Sequence, residues 1–185
     1  MYANLGQRNR AHEYLTKAFN RRDRASEREK LHITSLYYEI VTGELDKAAE
    51  TLREWEESYP RDDVAPGNFG VLYATEGRYE PAVEQTQKSL RLNPDAVIGY
   101  ENLTQYLLAL NRLDDTRKTY DEAMARKLDD DPLHLVRYGL AFLESDSKVM
   151  SEQAAWFSDR PEVESEMAGL GSGDGRLRWT SQQRA

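Results

Sequence analysis

Apolar residues recur along this chain with a helical rather than a strand period. Leu103, Tyr106, Leu107 and Leu110 fall at i, i+3, i+4 and i+7, which places them on one face of a helix. Val71 to Tyr73, and Ala82, Val83 and Leu90, follow looser versions of the same spacing, and no strand-like alternation competes. The periodic segments are broken by turn-like stretches: Thr42-Gly43-Glu44-Leu45, Glu76-Gly77-Arg78-Tyr79 and Leu110-Asn111-Arg112-Leu113. Gly and Asn at these breaks tolerate the left-handed backbone that ends a helix. The pattern therefore predicts short helices joined by tight turns.

The breaks are evenly spaced. Gly43 to Gly77, Gly77 to Asn111 and Asn111 to Ser145 are each 34 residues, and Gly6 lies 37 before Gly43, which allows a three-residue insertion around 20–30. Residues at fixed offsets agree. Five after the turn come Ala11, Ala48, Ala82, Thr116 and Met150; twelve after it come Ala18, Trp55, Ser89, Ala123 and Phe157. Small side chains at such points let two helices approach closely. Leu45, Tyr79 and Leu113 open the second helix of each unit, and Pro60 and Pro94 end it.

Composition refines this picture without changing it. Of 185 residues, 39% are hydrophobic and 31% charged, a balance that suits a water-facing fold with much surface relative to core. Eleven Tyr and three Trp supply buryable area that a disordered chain lacks. There are no cysteines, which excludes disulfides, thiolate chemistry and cysteine-bound zinc and leaves the compartment open. The longest apolar runs, such as Tyr106 to Leu110, are far too short to span a bilayer, so no membrane insertion is expected of this chain. The net charge is −8, unevenly placed: residues 1–30 hold eight basic against four acidic residues, and the remainder is strongly acidic. The basic stretch Arg21-Arg22-Asp23-Arg24 falls in an inter-helix connection, and the acidic remainder would repel phosphate, so no nucleic-acid partner is expected.

A search for chemistry finds little. His12, His32 and His134 lie in different units without metal-ligand spacing and read as surface or packing residues. Asp62-Asp63 and Asp129-Asp130-Asp131 follow second helices, where carboxylates start the next helix favourably near its dipole. Gly171-Ser-Gly-Asp-Gly175 lacks the preceding strand and the Lys-Ser/Thr of a phosphate loop. No nucleophile elbow or kinase signature occurs, so neither a catalytic site nor a metal or cofactor is expected.

With this register in hand, the chain resembles the tetratricopeptide repeat family. GRYEPAVEQTQKSLRLNPD carries Gly77, Tyr79, Ala82, Leu90 and Pro94, preceded by Phe69-Gly70 and Tyr73. TGELDKAAETLREWEESYPRD carries Gly43, Leu45, Ala48, Leu52 and Pro60. The third unit keeps Tyr100, Leu103, Leu113, Tyr120 and Ala123 but has Thr104 and Thr116 where small residues are usual, and the fourth is degenerate. The run from Ala25 to Leu133 is similar to tetratricopeptide regions that follow the kinase domain of some bacterial serine/threonine kinases, or that are attached to bacterial transcriptional regulators.

The resemblance implies an all-α fold, a right-handed solenoid of stacked antiparallel helix pairs. It divides the chain into a partial repeat at 1–29, units at 30–62, 63–96 and 97–131, a degenerate unit at 132–160, and a linker with a partial helix at 161–185. It also implies a protein or peptide partner held in a concave groove lined by the first helix of each unit. The groove positions are Lys30, Ile33, Thr34 and Tyr37, then Val64, Asn68, Val71 and Thr75, then Ile98, Glu101, Asn102, Gln105 and Ala109. The residues expected to bind peptide are Lys30, Tyr37, Asn68, Val71, Glu101, Asn102 and Gln105. Asn68 and Asn102 sit at one position in successive units, where an amide can grip an extended backbone with donor and acceptor together. The paired basic residues of a carboxylate clamp are missing from the third unit. A structural or oligomerisation element, or a sensory segment of a larger signalling protein, is the alternative reading. Tyr2 before Gly6, and Gly175 to Trp179, look like pieces of further units, so the chain is expected to be a fragment whose ends self-associate.

Overall fold

The computed structural model describes residues 8–157, and within them the fold is all-helical. Nine α-helices follow one another: α1 Arg8–Phe19, α2 Glu27–Leu36, α3 Leu45–Ser58, α4 Val64–Thr75, α5 Tyr79–Leu92, α6 Val97–Ala109, α7 Leu113–Ala125, α8 Asp131–Leu143 and α9 Ser147–Phe157. A short 3-10 turn, Arg22–Arg24, precedes α2, and α2 runs on into a wider-turned π segment, Tyr37–Thr42. The expectations placed on Tyr2, Gly6 and residues 161–185 lie outside the described residues.

The helix ends follow local chemistry. Ser26 starts α2 with a capping box: its side chain accepts from the Glu29 N–H, and the Glu29 carboxylate accepts from the Ser26 N–H at 2.9 Å. Asp130 starts α8 by accepting from the Asp131 N–H at 2.7 Å, with Pro132 in the first turn, where a missing N–H does no harm. Four helices end on left-handed residues spaced by 34: Gly43 (φ 69°), Gly77 (φ 74°), Asn111 (φ 57°) and Ser145 (φ 58°). After each, one N–H folds back on the helix just ended. Arg78 reaches the Tyr73 carbonyl at 2.8 Å, Arg112 that of Leu107 at 2.9 Å and Asp146 that of Ala141 at 2.9 Å. Each turn sends the chain back along the helix it has left, so α2 packs with α3, α4 with α5, α6 with α7 and α8 with α9.

The chain divides after Pro94 into two compact units. The first has its core between α2, α3 and α4: Ala48, Leu52, Trp55, Ala65, Phe69 and Leu72 are buried, with Leu31, Tyr38, Leu45 and Tyr73 packed around them. Removing each of the larger side chains from water stabilises by about 1.5–3 kcal/mol. α4 is apolar around most of its circumference, so it is covered on more than one side, by α3 and by α5. Its contact with α5 is close because Gly70 has no side chain: a Cβ there would collide with Thr86 Oγ1 and lie 3.2 Å from the Ala82 carbonyl oxygen.

In the second unit Leu108, Val136 and Leu140 form the core between α6 and α8, with Leu113 against them and Leu133 and Phe157 fully buried nearby. Thr104 and Thr116 stand 34 residues after Gly70 and Ala82, and both are fully buried. Each folds its hydroxyl onto its own helix: Thr104 donates to the Tyr100 carbonyl at 2.8 Å and Thr116 to that of Arg112 at 2.9 Å. A hydroxyl satisfied in this way packs as an apolar group would.

Candidate functional site

Four of the seven expected binding residues lie in the first unit. Lys30 is half-buried on α2 and ion-pairs with Glu27 at 2.7 Å, a hydrogen bond that raises its pKa. Tyr37, in the π segment, stacks on Phe19 of α1 with ring centroids 3.9 Å apart and planes within 10°. Asn68 and Val71 are half-buried on α4. The Asn68 amide nitrogen is shut away from solvent without a hydrogen-bond partner among the described residues. An unsatisfied buried donor carries a penalty of about 1–3 kcal/mol.

The other three lie on α6 of the second unit. Asn102 and Gln105 are half-buried, whereas Glu101 is only 8% exposed. Burial pushes the Glu101 carboxyl up to about 7, helped by a hydrogen bond to Asp130 and by that residue's charge. Burial thus favours the uncharged form of Glu101 over the anion. Ile98, one turn earlier on α6, is an exposed apolar side chain at 53%. Glu39 in the π segment is also pushed to about 7, by burial alone.

Aspartates that sequence reasoning treated only as helix starters organise both units. Asp62, its side chain 8% exposed, accepts four hydrogen bonds: two from the Arg28 guanidinium, one at 3.0 Å, one from Trp55 Nε1 at 2.9 Å and one from the Val64 N–H at 3.1 Å. Burial pushes its carboxyl up, but these donors and the Arg28 charge outweigh burial and hold it below the usual carboxylate range. It thus ties α2, α3 and α4 together. One signal was available: Arg28 and Asp62 are 34 apart and so occupy one position of successive units.

In the second unit the run Asp129 to Asp131 sends each carboxylate to a different helix. Asp129 lies 2.6 Å from Nε2 of His134 on α8, Asp130 meets Glu101 on α6, and Asp131 accepts from Trp156 Nε1 of α9 at 3.3 Å. His134 is buried. Its other ring nitrogen is 2.7 Å from Gln153 Oε1, and its ring stacks on Trp156 with centroids 4.0 Å apart. His12 is exposed, and His32 packs against Trp55 at 5.1 Å between centroids, with burial lowering its pKa. Among the described residues no group of three or more His, Asp or Glu is gathered as a metal ligand set, and no helix is long and apolar enough to cross a membrane.

No protein-family model matches the chain.

Proposed function

We propose that the helix pairs are tetratricopeptide-type repeats of an α-solenoid, and that the chain is a non-catalytic module that binds an extended peptide or protein segment. The observation that carries this reading is the register. Left-handed residues at 43, 77, 111 and 145 end helices at a strict interval of 34. The residues five places on, Ala48, Ala82 and Thr116, are fully buried where the paired helices meet. A repeated helix pair presents the same face again and again, which suits recognition of an extended partner better than a single-pocket reaction.

Each unit would carry its binding positions on the first helices of its pairs, α2 and α4 in the first unit and α6 in the second. Asn68 and Asn102 stand at one position of this repeat, both half-buried. Tyr37 and Val71 supply apolar contact, and Gln105 a further amide. Glu101, largely sunk in its unit, would contribute by holding α6 in place and not by touching a peptide. With no paired cations in the third unit, an internal extended segment suits this face better than a free C-terminal carboxylate.

An array of extended peptides screened against the whole chain tests the reading. Asn68→Ala and Asn102→Ala should each weaken any hit by about tenfold, the worth of one or two well-made hydrogen bonds. The double variant, still helical by circular dichroism, should abolish it. Undiminished binding by the double variant would refute this face as the site. A strict lack of any hit, together with assembly that depends on the terminal helices, would favour a structural role.

A further inference from the structure

We propose that residues 161–170, which follow α9, dock on the open side of the last helix pair, so that the chain covers its own α8–α9 face. The observation that carries this is a difference in exposure between equivalent positions of two successive pairs. In the α6–α7 pair, Leu108 is 7% exposed and packs on Val136 and Leu140 of α8. Glu101 on α6 and Thr116 and Tyr120 on α7 are buried as well, and the Tyr120 ring meets that of His134 on α8 edge to face, with centroids 6.3 Å apart. α8 lies against both α6 and α7 and closes this side of the pair.

The same four places recur 34 residues on, as Leu135 and Phe142 on α8 and Met150 and Ala154 on α9. Here the side is open. Phe142 is 38% exposed, Ala154 is exposed, and Leu135 and Met150 are half-buried. Leu143, beside Phe142, is exposed too. The polar members of the earlier set have also gone: Leu135 replaces Glu101, and Met150 replaces Thr116. The surface that received α8 in one pair is thus repeated in the next as a wholly apolar one. Water meets it, and covering it is favourable.

The sequence just after α9 supplies a cover in the same register. Leu133 and Val136, the fully buried residues of α8, follow Ala123 by 10 and 13 residues. Met167 and Leu170 follow Phe157 by 10 and 13, and Phe157 is itself 34 after Ala123. Val163, Met167 and Leu170 stand at i, i+4 and i+7, on one face of a helix, with Glu162, Glu164 and Glu166 to its flanks. Pro161 suits a first helical turn. The run Gly171 to Gly175 ends the pattern, and the place of Leu140 is taken by Asp174, so the cover is short, about three turns. A tether of a few residues holds this segment beside the face at an effective concentration on the order of millimolar, which favours it over a second copy of the chain. The docking holds whether or not the first helices bind a peptide.

Cross-linking tests this, because the chain has no cysteine of its own. Ala154→Cys with Ala168→Cys places two thiols where Tyr120 and His134 stand one repeat earlier. A short thiol-to-thiol cross-linker added to the dilute whole chain should join them within one molecule, read by mass spectrometry. Lys148→Cys, at the other end of α9, should link to Ala168→Cys far less. In the otherwise unaltered chain, Met167→Asp with Leu170→Asp should raise hydrogen–deuterium exchange of α8 and α9 on the order of tenfold while α4 and α5 stay as they were. Links formed only between molecules would give the face to a second copy, and no link would leave it to solvent. Either result overturns the proposal, as does exchange in α8 and α9 that the double aspartate variant leaves unmoved.

Discussion

Asp62 and Asp130 occupy the same place in the repeat, 68 residues apart, just before the first helix of a pair. In the first unit that position is surrounded by donors: a guanidinium, an indole N–H and a backbone N–H all point at Asp62. In the second unit it receives one backbone N–H and a second carboxyl. One side chain in one register thus becomes a charge-assisted tie in one unit and a helix cap in the other. The difference lies in what the neighbours supply. Arg28 and Trp55 reach Asp62, whereas the position of Trp55 is taken by Ala123 in the second unit, and α6 offers Glu101. The consequence is opposite behaviour with pH. Asp62 has a depressed pKa, so its contribution is present above the ordinary aspartate range and disappears as pH falls through its folded value. Glu101 has a raised one and weakens its contact as pH climbs toward 7.

The contrast can be broken most strongly at Asp62. Asp62→Ala leaves Trp55 Nε1 buried without an acceptor and Arg28 without its partner. It should destabilise the first unit by about 3 kcal/mol at pH 7, with a smaller penalty at pH 3, measured by urea unfolding at both pH values. A penalty unchanged at pH 3 would mean that packing, not charge, makes the tie. Next in size is the helix contact that the two units solve differently, with Gly70 in α4 and Thr104 at the equivalent point of α6. Gly70→Ala should force α4 from α5 against the Thr86 side chain and the Ala82 carbonyl, costing about 2 kcal/mol by thermal or urea unfolding. A neutral result would show that α5 yields freely. The smallest effect should run the other way: Asp130→Asn at pH 8 should stabilise the second unit by about 1 kcal/mol, because it relieves two facing carboxylates while retaining a good cap. Destabilisation by this variant at pH 8 would mean that the cap charge outweighs the repulsion.

The helices and their turns were legible because they depend on short-range chemistry. Gly43, Gly77 and Asn111 are residues that accept left-handed backbone, and their spacing alone exposes the repeat. Even Ser145, poor in turn signals, falls in place because the interval demands it. Thr104 and Thr116 were harder to read: a hydroxyl at a close-packed position looks like a mismatch until its bond to the backbone one turn back is seen. The expected binding face was legible only as register. Burial decides whether a residue at such a position faces water, and burial depends on neighbours remote in sequence, so Glu101 counted as a groove-facing, peptide-binding residue although it is buried. The aspartates were recognised as helix starters, which Asp130 is, but their partners on other helices follow no fixed spacing. Arg28 is 34 residues from Asp62, whereas Glu101 is 29 from Asp130.

The wide turn at Tyr37–Thr42 has a further consequence. Where α4, α6 and α8 close with an N–H reaching five residues back, the Glu44 N–H reaches six, to the Tyr38 carbonyl at 2.9 Å. One more residue is housed in that turn than in its counterparts, and each residue added to a helix rotates everything before it by about 100°. The helix is thereby split into two aspects. Arg28 and His32, ahead of the wide turn, look toward Asp62 and Trp55, while Tyr37 and Tyr38, inside it, look toward Phe19. Excising a single residue there would restore an even spiral and swing one of those two aspects away from its neighbour.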